Sequence, residues 1–267
     1  MADNSANSAS VRRNASAPTF SSKCLAERVP GWEARTASGA LRVFARSEVS
    51  LPIDGPGIIV GDNPVRDSLQ AAGVEMHVRS VPPDEGLKTE AEVAAIYDWL
   101  LAIRLRRHDV IVIIGGGAVD DLGGFSASTY MRGVPLVKVP TSLEGMVDSS
   151  IGGKTALNHP RARNLIGTFY HPRLVLSDVS LLRDEPPAKL RAAWAEVVKY
   201  GMLECSLLRD QEVRNLFFAE LEQRADQLMK LEKQTLLDIV ARCVALKAQV
   251  VAGDERDLGQ YRIFLNY

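Results

Sequence analysis

The sequence predicts an α/β protein, with a mostly parallel sheet under covering helices first and an all-helical part after it. Three observations carry that expectation. Short apolar runs alternate with helical stretches from Gly57 onward. Several of those runs lack polar alternates, which is the pattern of strands buried on both faces. Beyond about Leu181 the strand pattern stops, and apolar residues recur at i, i+3, i+4 and i+7.

The elements follow in order. GIIV at 57–60 and VEMHVRSV at 74–81 read as strands, and AEVAAIYDWLLAIRLR carries helical spacing before the strand VIVII at 110–114. The next helix is expected from Leu122 to Tyr130, followed by strands in PLVKVP and RLVLSDV. LRAAWAEVVKYGML and LMKLEKQTLLDIVARCVALKAQVV are amphipathic helices. Pro186-Pro187 falls between the two parts, because paired prolines neither continue a helix nor donate to a sheet. Residues 1–23, rich in Ser, Asn and Ala, are expected to be a disordered tail. The predicted division is therefore tail 1–23, α/β domain 24–182 and helical domain 183–267.

Composition excludes several classes. A formal net charge of -1 supplies no basic field for nucleic acid, and 46% apolar residues are enough for an ordinary core. Cys24, Cys205 and Cys243 lack the spacing of a disulfide framework or a zinc cage, which predicts a reduced, cytoplasmic setting. No apolar run approaches the roughly 18 residues that span a bilayer, so neither membrane nor nucleic acid is expected as a partner.

The chemistry-bearing stretches remain ambiguous on residues alone. In GGGAVDDLGG, glycines at the end of a strand let backbone N–H groups approach phosphate, and a helix N-terminus adds its dipole. The dinucleotide fingerprint is met at Gly115 and Gly117, but Asp120 holds its sixth place, and a tight strand-to-helix turn would use the same glycines. Asp121 suits a ribose hydroxyl or a helix cap. The polar run from Val139 to Asn164 is long for a connector, and its Lys154 suits an anion or the solvent. Glu196 and Lys199 form an i,i+3 pair on a helix, or else Glu196 is a metal ligand. The four histidines show no metal-ligand spacing.

Four separated blocks, GGGAVDDLGGFSASTYMRGV, VPTSLEGMVDSSIGGKTALNHPRARNLIGTFYHP, AEVVKYG and KAQVVAGDERDLGQYRIFLNY, together resemble the 3-dehydroquinate synthase family in order and spacing across residues 81–267. The resemblance implies a Rossmann-like nucleotide-binding domain followed by a helical domain. It also implies NAD, a divalent metal (zinc or cobalt), and a sugar acid phosphate, 3-deoxy-D-arabino-heptulosonate 7-phosphate. In that reaction a hydroxyl is oxidised by hydride transfer to NAD, phosphate leaves, the ketone is reduced again, and an aldol step closes the carbocycle. A homodimer is also implied.

Residue by residue, the resemblance places Gly116 and Gly117 on the pyrophosphate, Asp121 nearby, Thr141 and Ser142 across the cleft, and Asp84, Glu85 and Lys88 on the adenosine side. Asp148, Lys154 and Asn164 match positions around nicotinamide and substrate, Lys199, Lys247, Arg262 and Asn266 match substrate-binding residues, and Glu196 matches a metal ligand. Three positions depart from the pattern: Asp120 replaces a usual glycine, Arg163 stands for a lysine near the cofactor, and Asp184 stands for a threonine. Family chains continue past a motif like Leu265-Asn266-Tyr267 into a segment with two metal-binding histidines. A C-terminally truncated chain with an incomplete metal site is therefore expected. Rival expectations are another sugar phosphate cyclase (aminodehydroquinate or valiolone synthase), a metal-dependent alcohol dehydrogenase, or an inactive NAD-binding chain.

Overall fold

The computed structural model describes residues 31–36, 39–46, 57–60, 76–82, 84–208, 216–259 and 262–265. The expected tail and Asn266 lie outside the described residues. Seven strands form one sheet in the order β1-β2-β9-β6-β5-β3-β4: β1 (Gly31–Thr36), β2 (Gly39–Arg46), β3 (Gly57–Val60), β4 (Met76–Arg79), β5 (Val110–Gly115), β6 (Leu136–Pro140) and β9 (Leu174–Asp178). Only β1 runs antiparallel to its neighbour; every other pairing in this sheet is parallel. β7 (Lys154–His159) and β8 (Ala162–Phe169) make a separate antiparallel hairpin. That hairpin lies within and beyond the polar run from Val139 to Asn164, for which the sequence predicted no strand.

The unbroken apolar run of β5 has its predicted consequence. Val112 and Ile114 face one apolar cluster, while Ile111 and Ile113 face the other. Helices α1 (Glu90–Ala102) and α2 (Gly117–Thr129) cover the second face. α2 begins at Gly117, five residues before the predicted Leu122, because the glycine run itself enters the helix. Gly123 permits the close approach of α2 to the sheet, since a Cβ there would meet Ile113 Cδ1 at 2.7 Å.

The other face is covered from α3 (Pro187–Leu208) onward, by α4 (Leu216–Gln223), α5 (Ala225–Met229) and α6 (Lys233–Gly253). Proline opens α3, where its missing N–H costs no hydrogen bond. One apolar cluster runs from Val112, Val139 and Val175 in the sheet to Val197, Tyr200 and Val240 in these helices. A single π-helical turn, Gly145–Ser149, lies between β6 and β7. Among the described residues no helix is long and apolar enough to cross a membrane.

Candidate active site

The strands end along one edge of the sheet, and the functional side chains gather there. β5 passes through Gly115 into Gly116, whose extended backbone (φ -89°, ψ -174°) caps α2. Gly115 is demanded by packing, since its Cβ would sit 2.8 Å from Val119 Cβ. Gly116 and Gly117 differ: an added Cβ would meet only Ser142 Oγ at 3.8 Å and Ser149 Oγ at 3.9 Å. Packing therefore does not fill the space beside Gly116 and Gly117 as it does at Gly115, which leaves the turn able to approach a phosphate. Thr141 is tied to this turn by its N–H, which donates to the Gly115 carbonyl at 3.0 Å, and Ser142 Oγ accepts from Gly145 N at 3.1 Å.

Lys88 gathers the predicted adenosine-side residues. It is 2% exposed, and its ammonium reaches Asp121 at 2.7 Å, Glu85 at 2.9 Å and Asn164 Oδ1 at 2.6 Å. Asn158 donates to Glu85 Oε1 at 3.0 Å and accepts from Asn164 N at 3.0 Å, which holds Asn164 at a positive φ of 54°. Burial opposes charge at Glu85, yet Asn158 and Lys88 outweigh it and hold the carboxyl below its usual range. At Asp121 burial wins despite Lys88 and pushes the carboxyl up. Asp84 caps the turn by accepting from Gly86 N at 2.9 Å. A cavity of about 630 Å³, lined by Asp84, Glu85, Asn158, His159, Arg161 and Arg163, opens beside this cluster.

The second half of the site hangs on the π turn. Asp148 projects from it and accepts from Lys247 Nζ at 2.6 Å and from Tyr200 OH at 2.7 Å, while the Asp148 carbonyl takes a further 2.6 Å bond from Lys247. Burial opposes charge at Asp148, but Lys247 and Tyr200 prevail and keep the carboxyl below its usual range. Lys247 is pushed down, first by burial and then by Arg262 and Lys199, against the pull of Asp148. Arg262, 3% exposed, donates to the carbonyls of Gly152 at 3.3 Å and Glu255 at 3.1 Å. Lys154, exposed, pairs with Asp257 at 2.6 Å.

Lys199 donates to Glu196 and to the Leu265 carbonyl at 3.0 Å, so the i,i+3 ion pair is formed. Among the described residues no group of three or more His, Cys, Asp or Glu is placed to hold a metal. Glu196 is one carboxylate facing a lysine, and these residues do not make a metal centre.

Several groups at the site were not singled out from sequence. Tyr200 follows Lys199 in AEVVKYG, and its complete burial is the signal that an apolar environment hides a phenol needing a partner. Glu144 has its carboxyl pushed up by partial burial and by the carboxylates of Asp148 and Glu196. Lys138 is a lone charge in the apolar strand β6, and its ammonium lies 2.8 Å from Asp120. That contact answers the charge of Asp120 beside the glycine turn with a cation.

Fold and site together define an α/β class with a mostly parallel sheet whose glycine turn opens a helix at its edge. Within it, the chain belongs to the 3-dehydroquinate synthase family: the model described as 3-dehydroquinate synthase N-terminal matches residues 78–192, and the C-terminal one matches residues 193–267. The 3-dehydroquinate synthase of Geobacter metallireducens is 46% identical over 204 residues, which are 76% of this chain and 54% of that protein. The Desulforamulus reducens enzyme of the same name is 35% identical over 254 residues, 95% of this chain and 66% of that protein. The chain thus spans about half the length of the first of these relatives. The crystal structure of 2-deoxy-scyllo-inosose synthase complexed with carbaglucose-6-phosphate, NAD+ and Co2+ has a TM-score of 0.73 at 23% identity, over 88% of this chain and 67% of that one. At that identity the likeness shows a shared fold.

Proposed function

We propose that this chain takes part in the dehydroquinate synthase reaction: NAD- and metal-dependent conversion of 3-deoxy-D-arabino-heptulosonate 7-phosphate to 3-dehydroquinate with release of phosphate. Family membership supports the reaction, and the observation that carries it to these residues is the open Gly116–Gly117 turn, joined through Asp121 to Lys88 and Asn164. NAD, when bound, supplies reversible acceptance of a hydride. The turn's N–H groups would hold its diphosphate, with Thr141 and Ser142 on the opposite wall and Asp84, Glu85 and Arg163 toward the adenosine. Lys154, Lys199, Lys247, Arg262 and Asn266 would bind a substrate bearing phosphate and carboxylate, for which clustered cations are suited. Lys247 Nζ, with its affinity for a proton lowered by burial, gives up a proton more readily than a solvated lysine, and Asp148, itself held by Tyr200, orients it. Glu196 would give one metal ligand. The described residues supply no further ligand set for it.

Two-part organisation belongs to the same reading, with residues 24–182 as one wall of the cleft and 183–267 as the other, as does a cytoplasmic homodimer. The reaction is tested by offering this sugar phosphate, NAD and zinc or cobalt to the full chain and measuring phosphate. Release with only transient reduced nicotinamide supports the proposal. Persistent reduced nicotinamide supports a dehydrogenase, release only from a different sugar phosphate supports another cyclase, and NAD binding without turnover supports an inactive binding chain.

A further inference from the structure

Asp120 stands in the first turn of α2, directly after the glycine turn, and its N–H donates to the Gly116 carbonyl at 3.0 Å. Its side chain is 8% exposed. A helix N-terminus carries the equivalent of about +0.5 charge, which is what attracts an anion. A full negative charge buried in the same turn cancels that attraction. Lys138 comes from the neighbouring strand β6, is 0% exposed, and bonds Asp120 Oδ2 at 2.8 Å. Its stem runs past Gly124, where an added Cβ would lie 3.9 Å from Lys138 Cε. A lysine wholly buried within an apolar strand is costly unless paired, and Asp120 is the acceptor the structure gives it.

We infer that Lys138 is a positioning residue for the dinucleotide: by neutralising Asp120 beneath the glycine turn, it preserves the positive field at Gly116 and Gly117 that a diphosphate needs. This rests on the NAD reading above. The other charges facing Asp120 are Asp121 and Lys247; Asp121 is itself paired with Lys88, and Lys247 is held by Asp148.

The test compares NAD, ADP and adenosine as probes on the full chain by calorimetric titration between pH 6 and 9. In Lys138→Met, NAD and ADP should weaken on the order of 10-fold at high pH, as expected for one uncompensated charge at the distance of a helix turn. Affinity should recover as the pH is lowered and Asp120 takes a proton, while adenosine stays within about twofold because it carries no phosphate. Asp120→Asn with Lys138 intact should shift the probes the opposite way, tightening NAD and ADP relative to adenosine. The double variant D120N/K138M should return both to near wild type at every pH. This rescue is independent of any change in melting temperature.

Equal weakening of all three probes would reduce the pair to a structural role and overturn the inference. So would unchanged NAD and ADP affinities across the pH range in Lys138→Met. If Lys138→Met does not fold, Asp120→Asn alone decides: no tightening of the phosphate-bearing probes overturns the proposal. A wild-type chain that binds none of the three sinks the NAD reading and this inference with it, whereas wild-type binding with no phosphate-dependent difference sinks the inference alone.

Discussion

Of the lysine–aspartate pairs at the edge of the sheet, Lys247–Asp148 and Lys138–Asp120 are built differently. Asp148 takes bonds from Lys247 and Tyr200, with the lysine also gripping the Asp148 carbonyl. Asp120 has Lys138. The outcomes are opposite in sign: Asp148 is held below the usual carboxylate range, and Asp120 is pushed above it by burial in spite of its lysine. Burial disfavours both charges, so the number of donors around each carboxylate decides which effect wins. The first pair ties the π turn to α3 and α6, and the second ties α2 to β6.

The contrast breaks most visibly in Lys247→Met. Removing one partner of a buried pair costs about 3–5 kcal/mol, and urea unfolding should show that loss together with loss of turnover. Lys138→Met should lie at the low end of that range, about 3 kcal/mol by the same measurement, because Asp120 can escape its burial by taking a proton. If Lys138→Met proves the more costly, the donor-count argument fails. Tyr200→Phe removes one hydrogen bond to a charged acceptor while Lys247 remains, and should cost about 1.5–3 kcal/mol.

The finest distinction is the pH dependence of stability. Asp148 has a folded pKa below its unfolded value of 3.8, so its contribution is complete above pH 3.8 and is lost as pH falls through the folded value. Asp120 has a folded pKa above 3.8, so its contribution is present below pH 3.8 and is lost as pH rises through the folded value. Urea midpoints of D120N/K138M, followed from pH 3 upward, should therefore fall less with rising pH than those of wild type. A wild-type slope retained in the double variant would assign the effect elsewhere.

Legibility in the sequence followed burial. β3, β5, β6 and β9 have sheet neighbours on both sides, and their largely apolar runs made them legible. GWEART and GALRVFAR were not read as strands; they lie at the end of the sheet, β1 is its antiparallel edge, and both carry charges amid their apolar residues. The β7–β8 hairpin was missed because β8 is largely exposed, and ARNLIGTF reads as polar loop.

At the site, the glycine turn could be read as a possible phosphate cradle, but its meaning depended on neighbours far away in the chain. Asn164 lies 76 residues from Lys88, and Lys247 lies 99 residues from Asp148. No local spacing reports such contacts, and the family resemblance supplied these residues instead. Lys138 shows the limit from the other side. A lone charge in an apolar strand demanded a partner, yet only the packing of α2 onto β6 showed which.

The turn carrying Asp148 has a consequence of its own. Five residues, Gly145–Ser149, are wound one residue wider than an ordinary helix would allow. Each residue of a regular helix advances the chain by about 100° of rotation. Shortening this segment by a single position would swing the carboxylate away from Lys247 and Tyr200 while every named side chain stayed in the protein, so the spacing of this segment is as much a functional requirement as its chemistry.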